Sequence, residues 1–200
     1  MLAHFCVKMS LMTAALILID LQNAIEHPLW RTHGDRNNLD AEQNITTLLA
    51  AWRRSGRPIY HIRHDSLEPA SPYRPGQTGN EFQPFAAPLP TEPVIPKQTN
   101  SAFIGTGLES TLRAAGHLTL IVGGIITNNS VEATVRMAGN LGFNTYLAAD
   151  ACYTFPRLDW NGRLCSAAEV HALSLANLHR EYCTVMKTSE ILQLLNHKAL

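Results

Sequence analysis

One stretch does most to limit what this chain can fold into: Leu118 to Leu141, LTLIVGGIITNNSVEATVRMAGNL. Leu118 to Val122 is apolar without polar alternation, the pattern of a strand covered on both faces. Gly123 and Gly124 follow and let the backbone turn tightly. Thr127, Asn128, Asn129 and Ser130 then open a helix. Val131, Val135, Ala138 and Leu141 recur at helical spacing as its buried face, and Gly142 closes it. The first-turn N–H groups of such a helix have no partners inside it and point at whatever lies in front. Ser130 sits at that mouth, either as an ordinary cap or as a reacting group.

Strands and helices alternate through the rest of the chain, which predicts an α/β fold with a parallel sheet covered on both sides. Ala14 to Asp20, AALILID, is an apolar strand ending in a carboxylate, where open sheets of this kind place ligands. Asn38 is expected to cap a helix whose stripe is Ile45, Leu48, Leu49 and Trp52, with Gly56 as its stop. PIYHIR, residues 58–63, reads as the second strand, and His61, His64 and Asp65 cluster at its end. They shape a loop or, at a spacing unlike any tight site, hold a metal. Six prolines between Glu68 and Pro90 rule out a helix there and leave a long loop, the usual setting of a lid or binding segment.

PVIPK is a short strand ending in Lys97. Thr106 and Glu109 have the spacing of a capping box for the next helix, and Ser166 and Glu169 that of a second one. NTYLAAD is a strand whose terminal Asp150 falls near the ligand edge. Ala168, Ala172, Leu175 and Ala176 are the expected inner face of the following helix. Thr184 to Met186 is a last short strand, and Thr188 caps a terminal helix.

Two hundred residues suit one domain of ordinary size: an N-terminal extension over 1–12, with Met9 and Met12 as further candidate starts, then a single domain over 13–200. Sixteen basic and sixteen acidic residues balance, so no basic face is implied and neither nucleic acid nor an anionic membrane is an expected partner. No apolar run approaches the roughly 20 residues of a spanning helix. Cys6, Cys152, Cys165 and Cys183 show no CxxC spacing, so no zinc or redox pair is expected. They suggest reduced thiols in the cytoplasm.

Asp20, Lys97 and Ser130 stand at equivalent places, each at a strand end or the start of the helix after it. In a doubly wound sheet those ends converge. A carboxylate can act as base, a lysine can hold it ionised, and the third group can attack, leaving an oxyanion near helix-terminal N–H groups.

These residues carry a resemblance. LILIDLQNAI around Asp20, PKQTNSAF around Lys97, and GGIITNNSVEATVRMAGNLGF around Ser130 resemble the isochorismatase-like hydrolases, and HALSLANLHREY resembles their cysteine hydrolase branch. The resemblance covers roughly residues 14 to 196. It implies a Rossmann-like three-layer α/β/α fold with a mainly parallel sheet of about six strands, and a catalytic Asp–Lys–Cys triad on Asp20, Lys97 and position 130. It also implies a cis peptide between Ile125 and Ile126, with the amides of Ile126 and Ser130 as the oxyanion hole. Gln22, Arg74 and Phe103 become substrate-binding candidates, Arg74 through the loop HDSLEPASPYRPGQTG and Phe103 as an aromatic wall. An exposed arginine and a core phenylalanine are the plainer readings of the last two.

Here serine stands where the family carries its nucleophilic cysteine. The implied activity is hydrolysis of a small molecule at a non-peptide C–N amide bond, in the cytoplasm, by a homodimer or homotetramer without a cofactor. The Asp-x-His pattern that holds a metal in nicotinamidases is missing, so no metal is expected. Two other readings fit the serine: an isochorismatase-type vinyl ether hydrolase without covalent catalysis, and a catalytically silent binding relative.

Overall fold

The computed structural model describes residues 13–196, so the 1–12 extension and Cys6 lie outside the described residues. Its centre is a six-stranded sheet whose neighbours all pair in parallel: β1 (Ala15–Ile19), β2 (Ile59–His64), β3 (Val94–Lys97), β4 (Thr119–Ile125), β5 (Asn144–Tyr153) and β8 (Thr184–Met186), in the order β3-β2-β1-β4-β5-β8. Between β5 and β8, β6 (Arg157–Leu158) and β7 (Leu164–Cys165) form a separate antiparallel hairpin. The helices are α1 (Ala41–Ser55), α2 (Leu108–Ala114), α3 (Glu132–Asn140), α4 (Ala167–Leu178) and α5 (Thr188–Asn196). None of those described is long and apolar enough to cross a membrane.

Alternation along β1 builds a core on each face. Leu16 and Leu18 join Ile45, Leu48 and Trp52 of α1 and Ile191 of α5. Ala15, Ile17 and Ile19 join Leu112 of α2, Val135 of α3 and Leu178 of α4 on the other side. The sheet is thus sandwiched between helices, the three-layer arrangement expected. The chain runs outward from β1 to β3, then returns to the middle and runs from β4 to β8. The order therefore reverses between β1 and β4, and a crevice opens at their C-terminal ends.

The glycine pair does not make the turn after β4. Both glycines belong to the strand, which passes Ile19 with Gly124 directly alongside. Gly124 has φ +133°, and a Cβ there would lie 2.3 Å from the Ile19 carbonyl oxygen and 2.6 Å from its nitrogen. The glycine serves close backbone approach, not chain reversal. The reversal comes after it, through a cis peptide between Ile125 and Ile126 and a single π-turn over Thr127–Val131. We expect Gly124→Ala to destabilise the fold by about 3 kcal/mol or more, since the collision is with backbone that cannot step aside. Urea unfolding would measure it, and a loss below about 1 kcal/mol would show that the strands can separate there.

Other local expectations fail for identifiable reasons. Asn38 does not cap α1. Its amide nitrogen donates instead to the carbonyls of Cys152 at 2.7 Å and Ala149 at 3.2 Å, and Asp40 takes the cap position. Thr106 and Glu109 do not close a capping box: Gly107 is the cap and Glu109 pairs with Arg113 at 2.8 Å. The box of Ser166 and Glu169 does form at the start of α4. β5 runs three residues past Asp150, whose carboxylate caps α5 by accepting from Thr188 N and Oγ1, both at 2.7 Å.

The buried face of α4 is Ala167, Val170, His171, Ser174 and Leu178, not the alanine stripe, whose Ala168, Ala172 and Ala176 are exposed. Inward-facing His171 and Ser174 find hydrogen-bond partners under the helix, which outweighs the apolar pattern.

Candidate active site

Three strand ends meet in the crevice. Asp20 follows β1 in a left-handed backbone conformation, φ 53°, Lys97 ends β3, and Ser130 stands in the π-turn after β4. β3 lies two strand spacings from β1, roughly 10 Å, and lysine's four-carbon stem covers much of that gap. Lys97 Nζ donates to Asp20 Oδ2 at 2.8 Å, to the Thr99 carbonyl at 3.1 Å and to Ser130 Oγ at 3.3 Å. The ammonium group thus touches both other members of the predicted triad.

The lysine side chain is fully buried and the Asp20 side chain 7% exposed. Burial raises the Asp20 pKa above the ordinary carboxylate value, and the neighbouring Lys97 opposes that rise without cancelling it. Asp20 Oδ1 is buried with no hydrogen-bond partner.

A cavity of about 290 Å³ opens over this group. Asp20, Ile126 and Ser130 border it, and the two residues expected to provide the oxyanion amides are thus both at its surface. Trp30, His64 and Tyr73 wall it, and Leu29, Asn100 and Asn129 line it further. Tyr73 stands edge-on to both Trp30 and His64, with ring centroids 6.3 and 5.5 Å apart. Trp30 is fixed by its indole N–H, which donates to the Ala24 carbonyl at 3.0 Å. His64 Nδ1 is buried without a partner, and burial, then the Lys97 charge, lowers the His64 pKa. The imidazole is therefore neutral at pH 7.

His64 and Tyr73 are site residues that sequence reasoning does not assign to the pocket. His64 is readable as a strand-end residue. Tyr73 sits in the proline-rich loop, and nothing local marks its ring as facing Asp20.

The three substrate-binding candidates fall elsewhere. Gln22 is wholly buried, and its amide clamps the chain: Nε2 donates to the carbonyls of His64 and Asn80, and Oε1 accepts from the His64 N–H at 2.7 Å. It supports the cavity wall without reaching the cavity. Arg74 is exposed and donates to the Pro69 carbonyl at 3.3 Å. Phe103 stacks on Phe143, with centroids 5.5 Å apart, against the core under α2 and α3.

The strand-end cluster also disperses. His61 is buried against Glu92 at 2.9 Å, and Asp65 pairs with Arg63 at 2.8 Å. Among the described residues no group of three His, Cys, Asp or Glu side chains could hold a metal ion. Cys152, Cys165 and Cys183 are free and buried, and none borders the cavity. Burial pushes the Cys152 and Cys183 thiols up to about 12, so neither offers a thiolate in place of Ser130.

The family model for the Isochorismatase domain matches residues 14–190, nearly the whole described chain. The chain belongs to the isochorismatase family. A crystal structure of an isochorismatase-family protein from Chromobacterium violaceum superposes with a TM-score of 0.90 at 58% identity, covering 94% of this chain and 95% of that one. The isochorismatase family protein YrdC of Bacillus subtilis is 39% identical over 89% of this chain and 94% of its own length. The ureidoacrylate amidohydrolase RutB of Variovorax paradoxus is 41% identical over 70% of this chain and 68% of its own. Isochorismatase-family members are hydrolases, and some are amidohydrolases.

Proposed function

We propose that this isochorismatase-family protein cleaves a non-peptide C–N amide bond in a small uncharged molecule, with Asp20, Lys97 and Ser130 as its working groups. The observation that carries the reading is the lysine ammonium held between Asp20 and Ser130, both of which border the cavity. Asp20 takes the Ser130 proton while Oγ attacks the carbonyl carbon. The amides of Ile126 and Ser130 receive the oxyanion. Asp20 then returns the proton to the departing amine; its raised pKa favours the earlier step, in which it takes the Ser130 proton. Water, deprotonated by the same carboxylate, cleaves the acyl–serine ester.

The vinyl ether reading draws on the same raised Asp20 pKa, because a protonated carboxyl could protonate an enol ether without any help from Ser130. Against it, among the described residues none that borders the cavity is an arginine or lysine to meet the two carboxylates of isochorismate. A panel of small amides and ureides, assayed for amine release and for an acyl adduct at Ser130 by intact mass, separates the readings. Ser130→Ala is expected to abolish both signals. Turnover of isochorismate that survives Ser130→Ala, with no adduct from any amide, would overturn the amidase reading.

We further propose that the protein is at least a dimer. Trp160 in the hairpin and Leu173 on α4 are 93% and 62% exposed, large apolar side chains that a second copy could cover. Light scattering at micromolar concentration is expected to give at least twice the 22.1 kDa chain mass.

A further inference from the structure

The turn that carries Ser130 has little reason to hold its own shape. It is one π-turn, a wide and uncommon geometry, made of Thr127, Asn128, Asn129, Ser130 and Val131, of which the first four are weak helix formers. Two of its polar members, Thr127 and Asn128, are gripped from outside. Thr127 Oγ1 shares a hydrogen bond of 2.9 Å with His171 Nδ1 on α4, and the Thr127 carbonyl accepts from Ser174 Oγ, one helical turn on, at 3.3 Å. Asn128 Oδ1 accepts from the Thr154 hydroxyl beyond β5. The His171 ring lies in its turn against Asn38, whose amide nitrogen is 3.3 Å from Nε2 and donates to two carbonyls of β5.

We propose that His171 is a positioning residue for Ser130: through Thr127 it fixes the π-turn that sets Ser130 Oγ against Lys97. His171 borders no part of the cavity and acts through its neighbour. Burial lowers its pKa, the Ala149 carbonyl opposing, so the ring serves as a neutral hydrogen-bonding spacer near pH 7. The proposal rests on the reading of Ser130 as the reacting group, and a substrate-free measurement separates the two.

In a Ser130→Cys background, iodoacetamide alkylates the introduced thiol, and peptide mass spectrometry reads the extent. The pH profile of that reaction reports how the thiol sits against Lys97. His171→Leu and Thr127→Val are each expected to shift the apparent thiol pKa by about one unit, in the same direction, as contact with a single charge is weakened. The double variant should shift no further than either single one. His171→Asn presents both a donor and an acceptor near the position of Nδ1 and should restore the parent profile. Where turnover is measurable, His171→Leu should lower kcat about a hundredfold with KM little changed.

If His171→Leu and Thr127→Val lower the melting temperature but leave the thiol profile unmoved in the folded protein, His171 is only structural and the inference fails. A moved profile in a protein that hydrolyses no amide supports the inference and overturns the amidase reading instead.

Discussion

Ser130→Cys is expected to raise turnover of small amides on the order of a hundredfold or more. The other side chains of the proposed thiol mechanism already stand together. Lys97 Nζ stands 3.3 Å from the position-130 oxygen, and Asp20 is held at 2.8 Å from the same ammonium. A thiol ionises near pH 8.5, far below a serine hydroxyl, and an adjacent ammonium lowers that further. The proposed oxyanion donors are backbone amides, which the substitution leaves alone. Sulfur adds little volume, and the site opens into a cavity of about 290 Å³. Adding Asp20→Asn should remove the gain, because the base is lost. Asparagine is the right replacement there, since it tolerates the left-handed backbone of position 20. Suppose the introduced thiol is readily alkylated, yet neither turnover nor an acyl adduct appears with any amide or ureide. Then the site does not cleave amides.

The second large effect is on stability. Lys97→Met is expected to destabilise the fold by about 3–5 kcal/mol at neutral pH, the usual result of leaving one member of a buried ion pair alone. The two side chains are almost wholly buried, and Asp20 Oδ1 already lacks a partner.

The pH dependence has a definite sign. Burial raises the Asp20 pKa and Lys97 restrains it, so removing Lys97 lets it climb further. The folded variant then binds a proton that the unfolded chain releases at a lower pH. The penalty is fully present above the folded pKa and fades as pH falls through it. Urea titrations at pH 8 and pH 5 should show a deficit that shrinks in acid. Asp20→Asn combined with Lys97→Met should recover most of the loss, because no buried charge remains. A deficit equal at both pH values would mean that lost packing of the lysine stem, not the stranded carboxylate, is responsible.

The layers of the fold are legible because their signals are local and repetitive: uninterrupted apolar strands, the stripe from Ile45 to Trp52 on α1, and a strict alternation of element types. The triad is legible because its members end or follow strands, where topology alone brings them together. Features set by distant partners are not. Gly124 reads as a turn residue until Ile19 is seen against it. The alanine stripe of α4 reads as a core face until His171 and Ser174 are seen to have partners beneath them. Arg74 and Phe103 fit a family pattern, but the cavity walls are His64, a strand-end residue, with Trp30 and Tyr73, contributed by segments whose approach no short-range spacing encodes.

Those walls have a consequence for how such a protein can change its diet. The proposed reacting groups stand at or just beyond strand ends of the sheet, whereas Leu29 and Trp30 belong to a short 3-10 helix and Ser71, Pro72 and Tyr73 to the proline-rich loop, both outside it. Altering or transplanting 27–31 and 71–73 would redraw the outline offered to an incoming molecule while leaving the Asp20–Lys97 contact untouched. Reaction type and choice of molecule are thus written in separate passages of the gene, and mutation can revise one without disturbing the other.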